Sequence, residues 1–290
     1  MNRALFISLL ALSIGGCSNT TGSALVRFTA RAAGPADATS GPLTFDTGAG
    51  YHVTLTRAKL HIGAVYLNMT KVASGGPLLP CVLPGIYVGE AFGACDPKTN
   101  VCGVDVDLLS PTLQPFPIPG QGTANPVIQA SIWFTGGDIN APPDDPISNT
   151  VILDVAGTAT QGAQSWPFVG TVTIGANRAT QPPNAAEPGA NPICQKRLID
   201  PPICLNPIVN DAGKPDCTAA FTLSDGGTLD LRADPRAMFD GLVFSSLQSP
   251  TGTPPVFTIP DTNGGIGEQL YKAVIANSGV YTFTWTDKAQ

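Results

Sequence analysis

Two histidines are all that this 290-residue chain contains. Both fall in one run, "YHVTLTRAKLHIG", as His52 and His61. Imidazole and thioether are donors that suit copper, and imidazole suits zinc. His52, His61 and the nearby Met69 therefore form one candidate metal set, that of a copper or zinc carrier. A turn at residues 56–58 would fold the histidines together across a ladder. One continuous strand would set them on opposite faces, because nine residues is an odd step. The alternation of the run places His61 with Lys59 toward solvent, opposite Leu60 and Ile62.

Carboxylates are the second source of chemistry. In "VDVDLL", Asp105 and Asp107 share a strand face about 7 Å apart by strand geometry. "GGDINAPPDDP" gathers Asp138, Asn140, Asp144 and Asp145, and "PDTNGG" holds Asp261 and Asn263. A hydrolase built on two carboxylates would draw on Asp105 and Asp107 or on the 138–145 loop. The same oxygens suit weak Ca2+ binding, although "PDTNGG" fails as an EF-hand loop: Gly265 and Ile266 stand at its fifth and sixth positions and Lys272 at its twelfth. Asx-turn formation is the plainer reading of such Asp, Asn, Gly and Pro clusters. Nucleophilic machinery is missing from the sequence, which has no G-x-S-x-G elbow, no H-E-x-x-H and no P-loop. "GQGTAN" (120–125) lacks the third glycine of a dinucleotide loop. No catalytic residue and no organic cofactor is assigned, and a non-enzymatic binding or scaffold module is the leading expectation.

The seven cysteines divide into one and six. Cys17 closes an apolar run that follows Arg3, with Ala4 to Ser13 as its hydrophobic stretch. This is signal-peptide anatomy, too short for a permanent span. The segment Ile14-Gly15-Gly16-Cys17 resembles the lipobox of bacterial lipoproteins, and the resemblance covers residues 1–17 only. It implies cleavage before Cys17, diacylglycerol on its sulfur, and a further palmitate-type acyl chain on the new amino terminus. Burial of about 0.8 kcal/mol per CH2 makes two or more chains a stable anchor in the lipid bilayer. Ser18, rather than Asp, implies an outer-membrane destination, on the periplasmic or the cell-surface face. The other six, Cys81, Cys95, Cys102, Cys194, Cys204 and Cys217, are an even set in an exported chain and read as three disulfides. Short loops favour Cys95–Cys102 and Cys194–Cys204, which leaves Cys81–Cys217. No C-x2-C pair points to zinc.

The elements that must position these residues are mostly strands. Gly 32 and Pro 28 are together about a fifth of the chain, which suits many short strands joined by turns. Hydrophobic residues make up 43% and charged residues 12%, with a mean hydropathy of +0.14; a sizeable core is within reach. The net charge of −6, with no basic cluster, excludes nucleic acid as a natural partner. "ALVRFTA", "LTFDT", "YHVTLT", "AKLHIGAVYLNM", "VIQASIWF", "TVILDVAGTAT", "FVGTVTIG" and "VYTFTWTD" read as strands. "FTLSDGGTLDL" reads as a hairpin about Asp225-Gly226-Gly227. Two short helices are expected, one after Asp234 as N-cap with Gly241 as stop, the other over "GIGEQLYKAVIANSG" with Gly279 ending it. The sum is a mainly β protein, an antiparallel β-sandwich of immunoglobulin-like or jelly-roll-like type. Its domains are a signal peptide (1–16), a lipidated tether (17–23) and one disulfide-stapled domain (24–290) with long Pro-rich loops at 108–125 and 181–217. Those loops would meet a protein or glycan partner. Trp133, Trp166 and Trp285 read as core residues rather than as a carbohydrate platform.

Overall fold

A computed structural model describes residues 24–69, 87–92, 94–95, 102–134, 150–174, 208–209, 215–216, 221–262, 264–275 and 279–289. In chain order the first strands are β1 (Leu25–Ala33), β2 (Leu43–Asp46), β3 (His52–Ile62), β4 (Ala64–Asn68), β5 (Tyr87–Phe92), β6 (Ala94–Cys95) and β7 (Cys102–Asp107). Next come β8 (Gln114–Pro115), β9 (Gly120–Thr123), β10 (Pro126–Val127), β11 (Gln129–Trp133), β12 (Thr150–Gln161) and β13 (Gln164–Ile174). The last are β14 (Ile208–Val209), β15 (Pro215–Asp216), β16 (Phe221–Thr222), β17 (Thr228–Ala233), β18 (Phe257–Ile259) and β19 (Tyr281–Thr286). The helices are α1 (Pro235–Phe239) and α2 (Gly265–Val274).

Two large sheets carry the fold. One runs β11-β4-β5-β9-β1-β17-β19, with β8 also on β1; the other runs β18-β13-β12-β3-β7-β6, with β2 also on β3. The protein is mainly β and sandwich-like, as expected, but its sheets are mixed rather than strictly antiparallel: β1 pairs β17 in parallel, and β13 pairs β18 in parallel. Alternation explains the strand faces. In β1, Val26, Phe28 and Ala30 are buried between exposed or half-buried neighbours, and in β17 Leu229, Leu231 and Ala233 alternate with half-buried ones. Both inward faces feed one buried cluster, in which Phe168 lies 5.8 Å from Phe239 and 5.0 Å from Phe244.

Several sequence expectations change. β16 pairs β10, while β17 pairs β1 and β19, so "FTLSDGGTLDL" is a turn between two different partners and not a hairpin. Gly226, at φ +76°, still makes that turn possible. The 108–125 segment is not a loop throughout: it supplies β8 and β9 to the β1 sheet, and Leu108, Leu109 and Phe116 are buried. Most of 181–217 lies outside the described residues. α1 begins as expected, with the Asp234 carboxylate accepting from the Arg236 N–H at 2.9 Å. α2 stops at Val274, short of Gly279. Trp166 is buried and Trp285 packs against the core. No helix among the described residues is long and apolar enough to cross a membrane.

Candidate functional site

β3 is one continuous strand of eleven residues, so no turn folds its histidines together. Nor do they face opposite sides. Against β12, Ala156 pairs Arg57 and Gly157 pairs Leu55, which leaves Thr56 as an extra residue, a β-bulge. Val53 and Leu55 are buried before it, and Ala58, Leu60 and Ile62 after it. The bulge shifts the alternation by one, so His52 and His61 both lie on the outer face. At about 3.3 Å per residue they sit roughly 30 Å apart, and one ion cannot bridge them. Met69 follows β4 in the other sheet, half-buried against the core, and does not join either histidine.

Each imidazole instead has a carboxylate of its own. His61 lies across the ladder from Asp105, with Nδ1 2.9 Å from Asp105 Oδ1. His52 lies across from Asp46, with Nδ1 2.7 Å from Asp46 Oδ1. The two pairs differ in burial. The His52 and Asp46 side chains are 56% and 85% exposed, whereas His61 is 11% exposed beside an Asp105 that is 75% exposed. His61 is thus covered, contrary to the solvent-facing expectation.

The ring of His61 lies over Gly103, where a Cβ would stand 2.3 Å from Nε2 and 2.1 Å from Cε1. Any larger residue at 103 would displace the ring. Nε2 itself is buried without a hydrogen-bond partner among the described residues. Leaving such an atom unsatisfied costs about 1–3 kcal/mol, so it calls for an explanation. With Nδ1–H donating to Asp105, Nε2 presents a lone pair; a carboxylate that orients a histidine in this way is the usual support of a metal-ligating imidazole.

The other nominated residues have different duties. Asp107 shares the outer face with Asp105, as its spacing predicts, and its Oδ1 accepts from the Leu109 N–H at 3.0 Å. Asp261 Oδ2 accepts from the Thr173 backbone N–H at 3.2 Å and from the Thr173 hydroxyl. Asp138, Asn140, Asp144, Asp145 and Asn263 lie outside the described residues, as do Cys17, Cys81, Cys194, Cys204 and Cys217. The backbone register sets Cys95 opposite Cys102. Among the described residues, no three His, Cys, Asp or Glu side chains gather closely enough to hold a metal ion.

Sequence reading missed Asp46, Gly103 and the bulge. Asp46 was findable: "DTGAGYH" is a turn flanked by β-like runs, and closing it sets residue 46 opposite 52. Gly103 and Thr56 gave no such signal.

No protein-family model matches this chain, and no curated protein does. Among solved structures, MbnP from Methylosinus trichosporium aligns over 84% of this chain and 81% of its own, at 12% identity and a TM-score of 0.29. A likeness that loose assigns neither fold nor function.

Proposed function

We propose that this protein is a lipid-anchored, extracytoplasmic, non-enzymatic binding module of a bacterial outer membrane, and that His61 is its ligand for a transition metal such as copper or zinc. The observation that carries the metal reading is the buried, unpartnered Nε2 of His61, on a ring fixed by Asp105 and seated on Gly103. A metal ion accepts the lone pair that no donor among the described residues satisfies, and Asp105 makes the imidazole a better donor. Water or the ligands of a delivering molecule would complete the shell, as suits a carrier that must release its ion. His52, exposed and distant, is outside this site. The lipobox resemblance supports the anchor, and the outer-membrane destination rests on Ser18.

The test is a copper and zinc titration of the full mature chain in detergent. Wild type is expected to bind one ion at His61. His61→Ala should abolish that binding, Asp105→Asn should weaken it by about 10–100-fold, the usual scale for such supporting carboxylates, and His52→Ala should leave it in place. Unchanged binding in His61→Ala would sink the metal reading and leave only the anchored module.

A further inference from the structure

Two residues from His61 along the same outer face, the second sheet has a gap. On one edge of β3, β2 pairs residues 52–55 and β7 pairs residues 59–62, and neither strand covers residues 56–58. The Leu108 N–H donating to the Ala58 carbonyl at 2.8 Å closes one corner. What remains is a cavity of about 250 Å³ lined chiefly by Ser40, Thr56, Arg57, Lys59 and Asp107. We propose that this cavity binds a small zwitterion of the α-amino-acid class, with its carboxylate on Lys59 and its ammonium on Asp107.

The charge pattern selects that ligand. Lys59 lies directly across the ladder from Asp107 on one side and Asp154 on the other. Arg57 takes Asp154 for itself, through Nε at 2.9 Å and Nη2 at 3.0 Å. Among the described residues, no carboxylate comes within ion-pair distance of Lys59, so its ammonium and the Asp107 carboxylate stand beside one cavity without closing on each other. Asp107 gives one oxygen to the Leu109 N–H and keeps the other. A simple anion entering here would gain Lys59 and meet Asp107; a simple cation would do the reverse. A molecule with both charges a few ångströms apart satisfies both, since opposite charges near a protein surface attract by several kcal/mol at contact before solvation is counted.

The walls are built for retention of shape. Ser40 has φ +58°, in the left-handed region that non-glycine residues seldom adopt. It is held there by its N–H donating to the Leu109 carbonyl at 3.0 Å and by a 3.1 Å hydroxyl contact with Ser110. Backbone strain of this kind, maintained by surrounding bonds, concentrates at ligand clamps. The bulge at Thr56 contributes too, because it turns both Thr56 and Arg57 outward at the cavity rim. The volume accommodates a small amino acid.

Calorimetry on the chelator-treated full chain tests this independently of the metal reading. The probes are glycine, alanine, glycinamide, which lacks the carboxylate, and acetate, which lacks the ammonium. Glycine and alanine should saturate one site at millimolar concentrations or below, and glycinamide and acetate should each bind about tenfold more weakly or worse, the scale of one lost charge-assisted bond. Lys59→Gln and Asp107→Asn should each give a similar loss with glycine. The second keeps an amide oxygen for the Leu109 N–H, so its fold is retained. No saturable binding by either amino acid overturns the proposal, as does acetate binding as well as glycine, which would mark a plain anion site. Because the ligand panel needs no variant, a variant that fails to fold does not remove the test.

Discussion

At the scale of single residues, the same types of side chain take very different duties according to what stands across the ladder. His52 and His61 are alike in sequence and alike in having a carboxylate on Nδ1, yet only His61 is covered. Arg236 shows the same dependence on neighbours. Its guanidinium meets Asp37 at 2.7 and 2.8 Å and Asp234 at 2.8 Å. Hydrogen bonding to Arg236 holds the Asp37 carboxyl below its ordinary value. A carboxyl lowered on folding contributes stability at pH values above its unfolded pKa, and that contribution is lost as pH falls through the folded pKa. Asp37 is largely exposed, so the effect is under about 1 kcal/mol. Asp37→Asn is therefore expected to lower the thermal midpoint slightly at neutral pH. The two melting curves should converge as pH falls below the ordinary carboxylate range, where wild-type Asp37 takes up its proton. A difference that persists there would assign the effect to packing instead of charge.

At the scale of elements, the bulge in β3 decides more than any other local feature. It allows Val53 and Leu55 on one side, and Ala58, Leu60 and Ile62 on the other, to point into the same core. It also fixes the outer row of Lys59 and His61. Deleting Thr56 would leave Val53, Leu55, Ala58, Leu60 and Ile62 in strict alternation toward the core, whereas inserting one residue between Ala58 and Lys59 would turn Leu60 and Ile62 to solvent. Each large residue so exposed costs about 1.5–3 kcal/mol, against a typical total stability of about 5–15 kcal/mol. The insertion should abolish the cooperative melt and the near-ultraviolet circular dichroism of the domain, while the deletion should keep both. Thr56→Ala, which keeps the residue count, should melt within a few degrees of wild type. An insertion variant that melts normally would show that the alternation of β3 does not set its register.

At the scale of the whole molecule, two sheets share one core, and covalent ties are expected to fasten it and anchor it. Opposed Cα atoms in an antiparallel pair lie about 4.5–5.5 Å apart, inside the span a disulfide bridges, which supports Cys95–Cys102 as one of the expected pairs. If the six cysteines past the tether are all paired, the denatured mature chain will contain no thiol that alkylates before reduction and six that alkylate after it. The anchor is tested in the same preparation: Cys17→Ser should move the protein from the membrane pellet to the soluble fraction, while retention in the pellet would end the lipid-anchor reading.

Composition and periodicity by themselves determined the β class, most strand positions and the start of both helices, because burial on one side of a strand writes a period of two into the sequence. They also nominated His61 and Asp105, though separately. They could not join them, since cross-strand partners 44 residues apart are chosen by register. The parallel pairing of β1 with β17, the assignment of β16 to β10, the shared face of His52 and His61 and the gap that forms the cavity came only from tertiary structure. All four depend on which strand edges meet, and one inserted residue at Thr56 reverses the face of everything beyond it. Local alternation specifies a strand's two faces; only the packed sheets specify which face is inside and who stands opposite.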